Sequence, residues 1–155
     1  MSIARLEKII SGEQTGADRA ALDWAINHGI PHGGWCPKGQ RAEDGIIPER
    51  YCLKETPQAQ YRQRTQWNVR NADGTLILIL TGQLTGGALF TRQCAERIGR
   101  PYLHVVSDDE WRDKIKVFLE KHSIRILNVA GPRASIAPGI EQFVQEVLGK
   151  VKAIA

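Results

Sequence analysis

The sequence predicts an α/β fold, namely a doubly wound, mostly parallel sheet with helices on both faces, Rossmann-like in architecture. Two observations carry this expectation. Short β-rich runs alternate with amphipathic stretches along the whole chain, the pattern of consecutive βαβ units. One run, Thr75 to Leu80 (TLILIL), is apolar without a break, as a strand must be when helices cover both of its faces. A closed eight-stranded barrel needs about 250 residues. The chain has 155, a length that predicts one domain over residues 1–155.

The elements follow in order. Leu6 to Ser11 (LEKIIS) reads as the first strand and Gly12 to Gly16 as the turn behind it. Asp18 to His28 carries Leu22, Ala25 and Ile26 at helical spacing, and Gly29 and Pro31 stop that helix. A short run at Gly33–Cys36 leads into an irregular stretch from Pro37 to Pro57. Connections that long are either functional or disordered. Ala59 to Asn71 is expected to be helical, followed by the TLILIL strand, a turn over Thr81–Gly87 and a helix to about Ile98 that Gly99 and Pro101 end. Tyr102 to Val106 is the next strand. Asp108 then opens a helix with Ser107 as its cap and Trp111, Ile115, Phe118 and Leu119 on one face. Arg125 to Val129 is the last strand. Ile140, Phe143, Val144, Val147, Leu148 and Val151 stripe the last helix.

Composition narrows the function classes. Hydrophobic residues make up 42% and charged residues 25%, which excludes an intrinsically disordered chain. Lys and Arg number 21 against 17 Asp and Glu, a net charge of +4. This mild bias suits a small anionic ligand and is too small to argue for nucleic acid. No apolar run approaches the ~18 residues of a membrane span. The start, MSIARLEKIISG, lacks the apolar core of a secretory signal. The three cysteines, Cys36, Cys52 and Cys94, form no C-x-x-C pair or zinc-finger spacing. Reduced thiols in a cytoplasmic protein are expected.

Ligands of open parallel sheets bind beyond the carboxyl ends of the strands. Three turns are expected there: Gly12-Glu13-Gln14-Thr15-Gly16, Thr81-Gly82-Gln83-Leu84-Thr85-Gly86-Gly87, and Gly131-Pro132-Arg133-Ala134-Ser135. Glycines let backbone N–H groups approach an anion, and the following helix adds unpaired amides and a positive dipole end. Thr15, Thr85 and Ser135 add hydroxyls and Arg133 a forked cation. The pattern is neither GxGxxG nor GxxxxGK[ST], so neither a dinucleotide fingerprint nor a Walker-type site is predicted.

The segment Gly33–Gly45 gathers further candidates. Trp35 serves either to stack on a planar heterocycle or to cap the core. Lys38 adds a cation. Arg41 either clamps an oxyanion or pairs with Glu43 or Asp44. Cys36 is a soft-metal ligand or, as is commoner for a lone Cys, a buried small hydrophobe. Asp18 suits the positive end of its helix. Arg64, Trp67 and Asn68 share one helical turn, from which Arg64 or Asn68 could face a ligand. No Ser-His-Asp arrangement and no metal-ligand spacing emerges.

The blocks GEQTGADRAALDWAINHGIPHGGWCPKGQRAEDGIIPERY, RTQWNVRNADGTLIL, LTGGALFT and LNVAGPRASIAPGI together resemble the molybdenum cofactor carrier family. These are LOG-like, circularly permuted Rossmannoid proteins related to the nucleotide-binding SLOG group. The resemblance covers nearly the whole chain. It implies non-catalytic binding, storage or transfer of the molybdenum cofactor, a pterin bearing a phosphate and a dithiolene-bound oxymolybdenum. It also implies a homo-oligomer, dimer or tetramer, with molybdoenzymes as recipients. The resemblance places the glycine loops at the site, and with the residues read above the expected set is Gly12, Gln14, Thr15, Gly16, Lys38, Arg41, Thr85, Gly86, Gly87, Gly131, Arg133 and Ser135.

The alternative is a LOG-like enzyme that hydrolyses nucleoside 5'-monophosphates, or a nucleotide-binding sensor. LOG-type hydrolases carry PGGxGTxxE. Here the double glycine is followed by Ala88-Leu89-Phe90-Thr91-Arg92-Gln93. Gln93 stands where the glutamate belongs, and an amide cannot ionise to act as acid, base or nucleophile.

Overall fold

The computed structural model describes residues 5–12, 14–108 and 110–154, with the backbone alone at position 154. Its elements are β1 (Lys8–Ile10), α1 (Ala17–Asn27), β2 (His32–Gly33), β3 (Trp35–Cys36), β4 (Arg41–Ala42), β5 (Gly45–Ile46), a 3-10 turn (Glu49–Tyr51) and β6 (Lys54–Glu55). There follow α2 (Tyr61–Asn71), β7 (Gly74–Ile79), α3 (Gly86–Ile98), β8 (Tyr102–Val106), α4 (Trp111–His122), β9 (Ile126–Ala130) and α5 (Ile140–Ile154). Five strands make one parallel sheet in the order β2-β1-β9-β7-β8.

The pleat of β7 sorts the core. All six of its residues are buried. Leu76 and Leu78 join the layer of α1, α4 and α5, and Ile77 and Ile79 face Leu84 and Ala88 on the side of α2 and α3. The stripe on α5 (Ile140, Phe143, Val144, Val147, Leu148 and Val151) is wholly buried. Each of its large members is worth about 1.5–3 kcal/mol of transfer free energy. The doubly wound prediction therefore matches the structure, and a solved relative described below has the same fold. No helix among the described residues is long and apolar enough to cross a membrane.

The chain leaves β1 toward β2 and leaves β7 toward β8, and β9 is inserted between β1 and β7, pairing with both. This reversal places the carboxyl ends of β1, β9 and β7 side by side. It is the switch point at which open sheets bind ligands.

Several elements differ in detail from expectation. The strands at the start and end are Lys8–Ile10 and Ile126–Ala130, and the helix expected from Asp108 begins at Trp111. Ser107 does not cap it. Its hydroxyl donates instead to Leu80 O at 2.8 Å, while Asp108 Oδ1 accepts from Glu110 N–H at 3.0 Å. The stretch 37–57 is structured. β3 pairs with the distant β6, and β4 with β5 as a hairpin. Tyr51 is buried with Leu22, Cys36 and Ile47 in a second small core. Its hydroxyl donates to Asp23 Oδ1 at 2.8 Å. Asn68 holds the backbone of Trp35 by accepting its N–H at 2.7 Å and donating to its carbonyl at 3.1 Å.

Candidate functional site

Two of the three glycine turns, those after β1 and β9, are bound to one another by backbone contact. Gly16 has φ +78, a left-handed conformation that disfavours any side chain. It lets Ala17 N–H donate to Pro132 O at 3.1 Å. A Cβ on Gly16 would stand 2.5 Å from Pro132 O and 2.6 Å from Ala134 N. A Cβ on Gly131 would stand 2.5 Å from Leu78 O and 2.7 Å from the Ala17 methyl. The turns after β1 and β9 thus form one rim, which abuts β7 itself at Leu78. Glu13 of the first turn lies outside the described residues.

Beside this rim opens a cleft of about 870 Å3, within the usual size of small-molecule sites. One wall is the β7–α3 turn, including Thr85, Gly86 and Gly87. The opposite wall is the β9–α5 turn, including Gly131, Arg133 and Ile136. Tyr61, Arg62, Arg64 and Thr65 of α2 close a third side, with Gln14 and Asp18 at the base of α1. Thr85 is the cap residue of α3 and makes no side-chain cap bond. The first amides of α3 lack helical partners, and the positive end of the helix meets the cleft. A Cβ on Gly86 or Gly87 would meet nothing within 4 Å.

The charge of the cleft is set by three guanidinium groups, Arg62, Arg64 and Arg133, against one described acid, Asp18. Asp18 is buried, and Arg64 lies 3.4 Å from its carboxylate. Burial pushes the Asp18 carboxyl above its ordinary value, and Arg64 is the strongest influence holding it down. Arg62 sits over the Phe90 ring at 5.0 Å. Apolar walls come from Ile79, Leu80, Leu89, Phe90 and Ile136.

The expected residues separate into groups. Gln14, Thr85, Gly86, Gly87, Gly131 and Arg133 line the cleft. Thr15 and Ser135 sit at its edge, where both donate their hydroxyls to the Glu43 carboxylate. Gly16 joins two turns, and Gly12 leaves room for Arg64 and Asp18, whose side chains its Cβ would overlap. Lys38 and Arg41 are exposed and outside the cleft lining. The acids near Arg41 have other partners, Asp44 pairing with Arg19 at 2.7 Å. Trp35 packs edge-on against Trp67 at 4.7 Å, also outside the lining. Cys36 and Cys94 are buried, Cys52 is exposed, and none of the three lines the cleft.

Among the described residues, no group of three or more His, Cys, Asp or Glu is placed to hold a metal ion. The sequence reading overlooked Tyr61 and Arg62, which carry no motif. Their only signal is an aromatic–basic start to an otherwise polar helix. Gln93 lines the same cleft as Gly86 and Gly87.

Comparison with known proteins gives the family and a fold of the same kind. Residues 9–152 match the circularly permutated YpsA SLOG family. A crystal structure of a "putative molybdenum carrier protein" from Syntrophus aciditrophicus SB is 44% identical, with a TM-score of 0.88, and the match covers 96% of each chain. A comparison with curated proteins returns no match. With the match spanning nearly its whole length, the chain belongs to the circularly permutated YpsA SLOG family.

Proposed function

We propose that the protein binds the molybdenum cofactor in the cleft as cargo, holding it for storage or transfer without catalysing a reaction on it. The observation that carries this reading is the pairing of an open, glycine-lined helix terminus with three arginines across a cleft of about 870 Å3. Such a site suits a ligand with an anionic end and a planar body. The α3 amides, Thr85 and Arg62 would take the oxyanionic molybdenum end. Tyr61 and Phe90, with the apolar wall at Ile136, would take the pterin. Lacking a thiol in the lining, the cleft would hold the cargo by its organic and oxyanionic parts, leaving molybdenum on its own dithiolene. The name of the solved relative supports the ligand. Gln93, within the cleft, supports the absence of LOG-type hydrolysis, because its amide does not ionise and so cannot serve as acid, base or nucleophile.

Titrating the purified chain with the cofactor, and in parallel with AMP, tests this. The cofactor is expected to stabilise the fold by about 2.7 kcal/mol at a hundredfold excess over Kd. AMP is expected to release no adenine. Adenine release at an enzymatic rate, or no thermal shift with the cofactor, overturns the reading.

Gly87→Ala separates site from scaffold. Its methyl enters open space and adds helix propensity of up to about 0.5–1 kcal/mol. Unfolding stability should be equal or higher while cofactor affinity falls about tenfold or more, a loss of about 1.4 kcal/mol or more. Unchanged affinity would remove the α3 terminus from the site. Gly86 is a poorer probe, since at φ +53 a side chain brings backbone strain of its own.

A further inference from the structure

Beside the cleft, two crossovers converge on a single carboxylate. Glu43 lies at the tip of the β4–β5 hairpin, in which Arg41 pairs with Ile46 and Ala42 with Gly45. Its carboxylate receives the Thr15 hydroxyl from the β1–α1 turn. From the β9–α5 turn it receives the Ser135 N–H at 3.2 Å and the Ser135 hydroxyl at 2.6 Å. The Glu43 N–H donates to Gln14 Oε1 at 2.8 Å. Thr15 is fixed in turn, its hydroxyl oxygen accepting from Ala134 N–H at 3.2 Å.

Three donors from two separate turns meeting on two oxygens of one anion match what a phosphate group asks for. The seat adjoins the cleft, because Gln14 and Arg133 border the cleft while Gln14 also caps the hairpin and Arg133 attracts Glu43. The Ser135 and Thr15 hydrogen bonds hold the Glu43 carboxyl below its ordinary range, so it is charged at neutral pH. Yet Glu43 is exposed and its hairpin carries the exposed Ile46, so water can replace each of its contacts.

We propose that Thr15 and Ser135 form an anion seat for a phosphate monoester, and that Glu43 is its exchangeable occupant, a built-in competitor that the ligand's phosphate displaces. The inference deepens the carrier reading and rests on it for the ligand being anionic. Asp44, paired with Arg19 at 2.7 and 3.1 Å, keeps the hairpin tethered at the rim while Glu43 leaves. Binding then carries a cost written into this chain, and release of the ligand is assisted when Glu43 returns.

Inorganic phosphate is the probe. Glu43→Ala is expected to bind it about tenfold more tightly than the unaltered chain, a gain of about 1.4 kcal/mol. Glu43→Gln should gain less, because it still fills the seat. Glu49→Ala removes the same charge from the same segment and should change nothing. Adding Ser135→Ala to Glu43→Ala should abolish the gain. Equal or weaker binding by Glu43→Ala, or an equal gain from Glu49→Ala, overturns the proposal.

A second measurement stands if the alanine variant fails to fold. In the unaltered chain, saturating phosphate should raise hydrogen exchange at the Glu43 amide, and unchanged exchange overturns displacement. Phosphate tightening without any cofactor binding would defeat the carrier reading alone. Cofactor binding indifferent to Glu43 would defeat this inference alone.

Discussion

Gly16→Ala is expected to destabilise the chain by about 3 kcal/mol or more, and with it to take the rim apart. Two costs add. A non-glycine residue at a left-handed φ costs roughly 1–2 kcal/mol, and Gly16 sits at φ +78. The new methyl would also meet the backbone at Pro132 O and Ala134 N, 2.5 and 2.6 Å away. Backbone cannot swing aside as a side chain can, and overpacking of this kind costs about 1–3 kcal/mol. For a chain of this size the midpoint of thermal unfolding should fall by roughly 6–12 °C. Gly29→Ala is the matched control. Its φ is +65, but nothing lies within 4 Å of the added Cβ. It should lose only the backbone part, about 1 kcal/mol. Similar losses for the two variants, by urea titration, would show that the contact of the β1–α1 and β9–α5 turns contributes little. Any Gly16→Ala protein that folds should also lose phosphate binding, since Thr15 and Ser135 are brought together by that contact.

The regular layers of the fold were legible because their physics is local. A short unbroken apolar run bounded by turn residues is what a strand covered on both sides requires, and the α5 stripe declares its buried face through spacing alone. The three turns could be placed at one end of the sheet because every strand of a parallel sheet ends there. What could not be read was the neighbourhood of β1, β9 and β7. That depends on β9 inserting between strands far from it in sequence, and no local pattern encodes an insertion.

Segment 37–57 failed for a related reason. Its strands are two residues long, too short for a period, and β3 finds β6 only because Asn68 and the Tyr51 cluster hold both ends. The cleft was half legible. Glycines and Arg133 announced themselves by type and place, while Tyr61 and Arg62 matter only because α2 passes over the carboxyl edge. Asp18 and Arg64 were each noticed, but their pairing, 46 positions apart in the chain, was not.

That pairing gives the second large expected effect. Arg64→Ala should cost about 3 kcal/mol at pH 7, the loss typical when one partner of a buried ion pair is removed. The Arg64 and Asp18 side chains are 16% and 4% exposed, so water offers the abandoned carboxylate little. The pH dependence distinguishes this cause from simple loss of packing. Asp18 is raised above 3.8 in the folded chain, which therefore holds the proton more tightly than the unfolded chain does. Its contribution is most favourable below the unfolded value and is lost as pH rises through the folded value. Removing Arg64, the strongest influence lowering that carboxyl, moves the folded value higher and widens the window upward. Arg64→Ala should accordingly regain stability as the pH is lowered from 7 toward 5, more steeply than the unaltered chain. Asp18→Asn in the Arg64→Ala background should recover much of the loss at pH 7, because the amide has no charge to leave unpaired. A deficit independent of pH and untouched by Asp18→Asn would mean that Arg64 acts through its contact with the Tyr61 ring, 5.8 Å away, rather than through Asp18. The distinction bears on the ligand as well. If the pair is what matters, Arg64→Ala leaves at the base of the cleft a negative charge that Ser11, the Gln14 backbone and Arg19 offset less fully, and it repels an anion. The double variant, neutral at that point, should then bind phosphate better than Arg64→Ala alone despite having the same number of arginines.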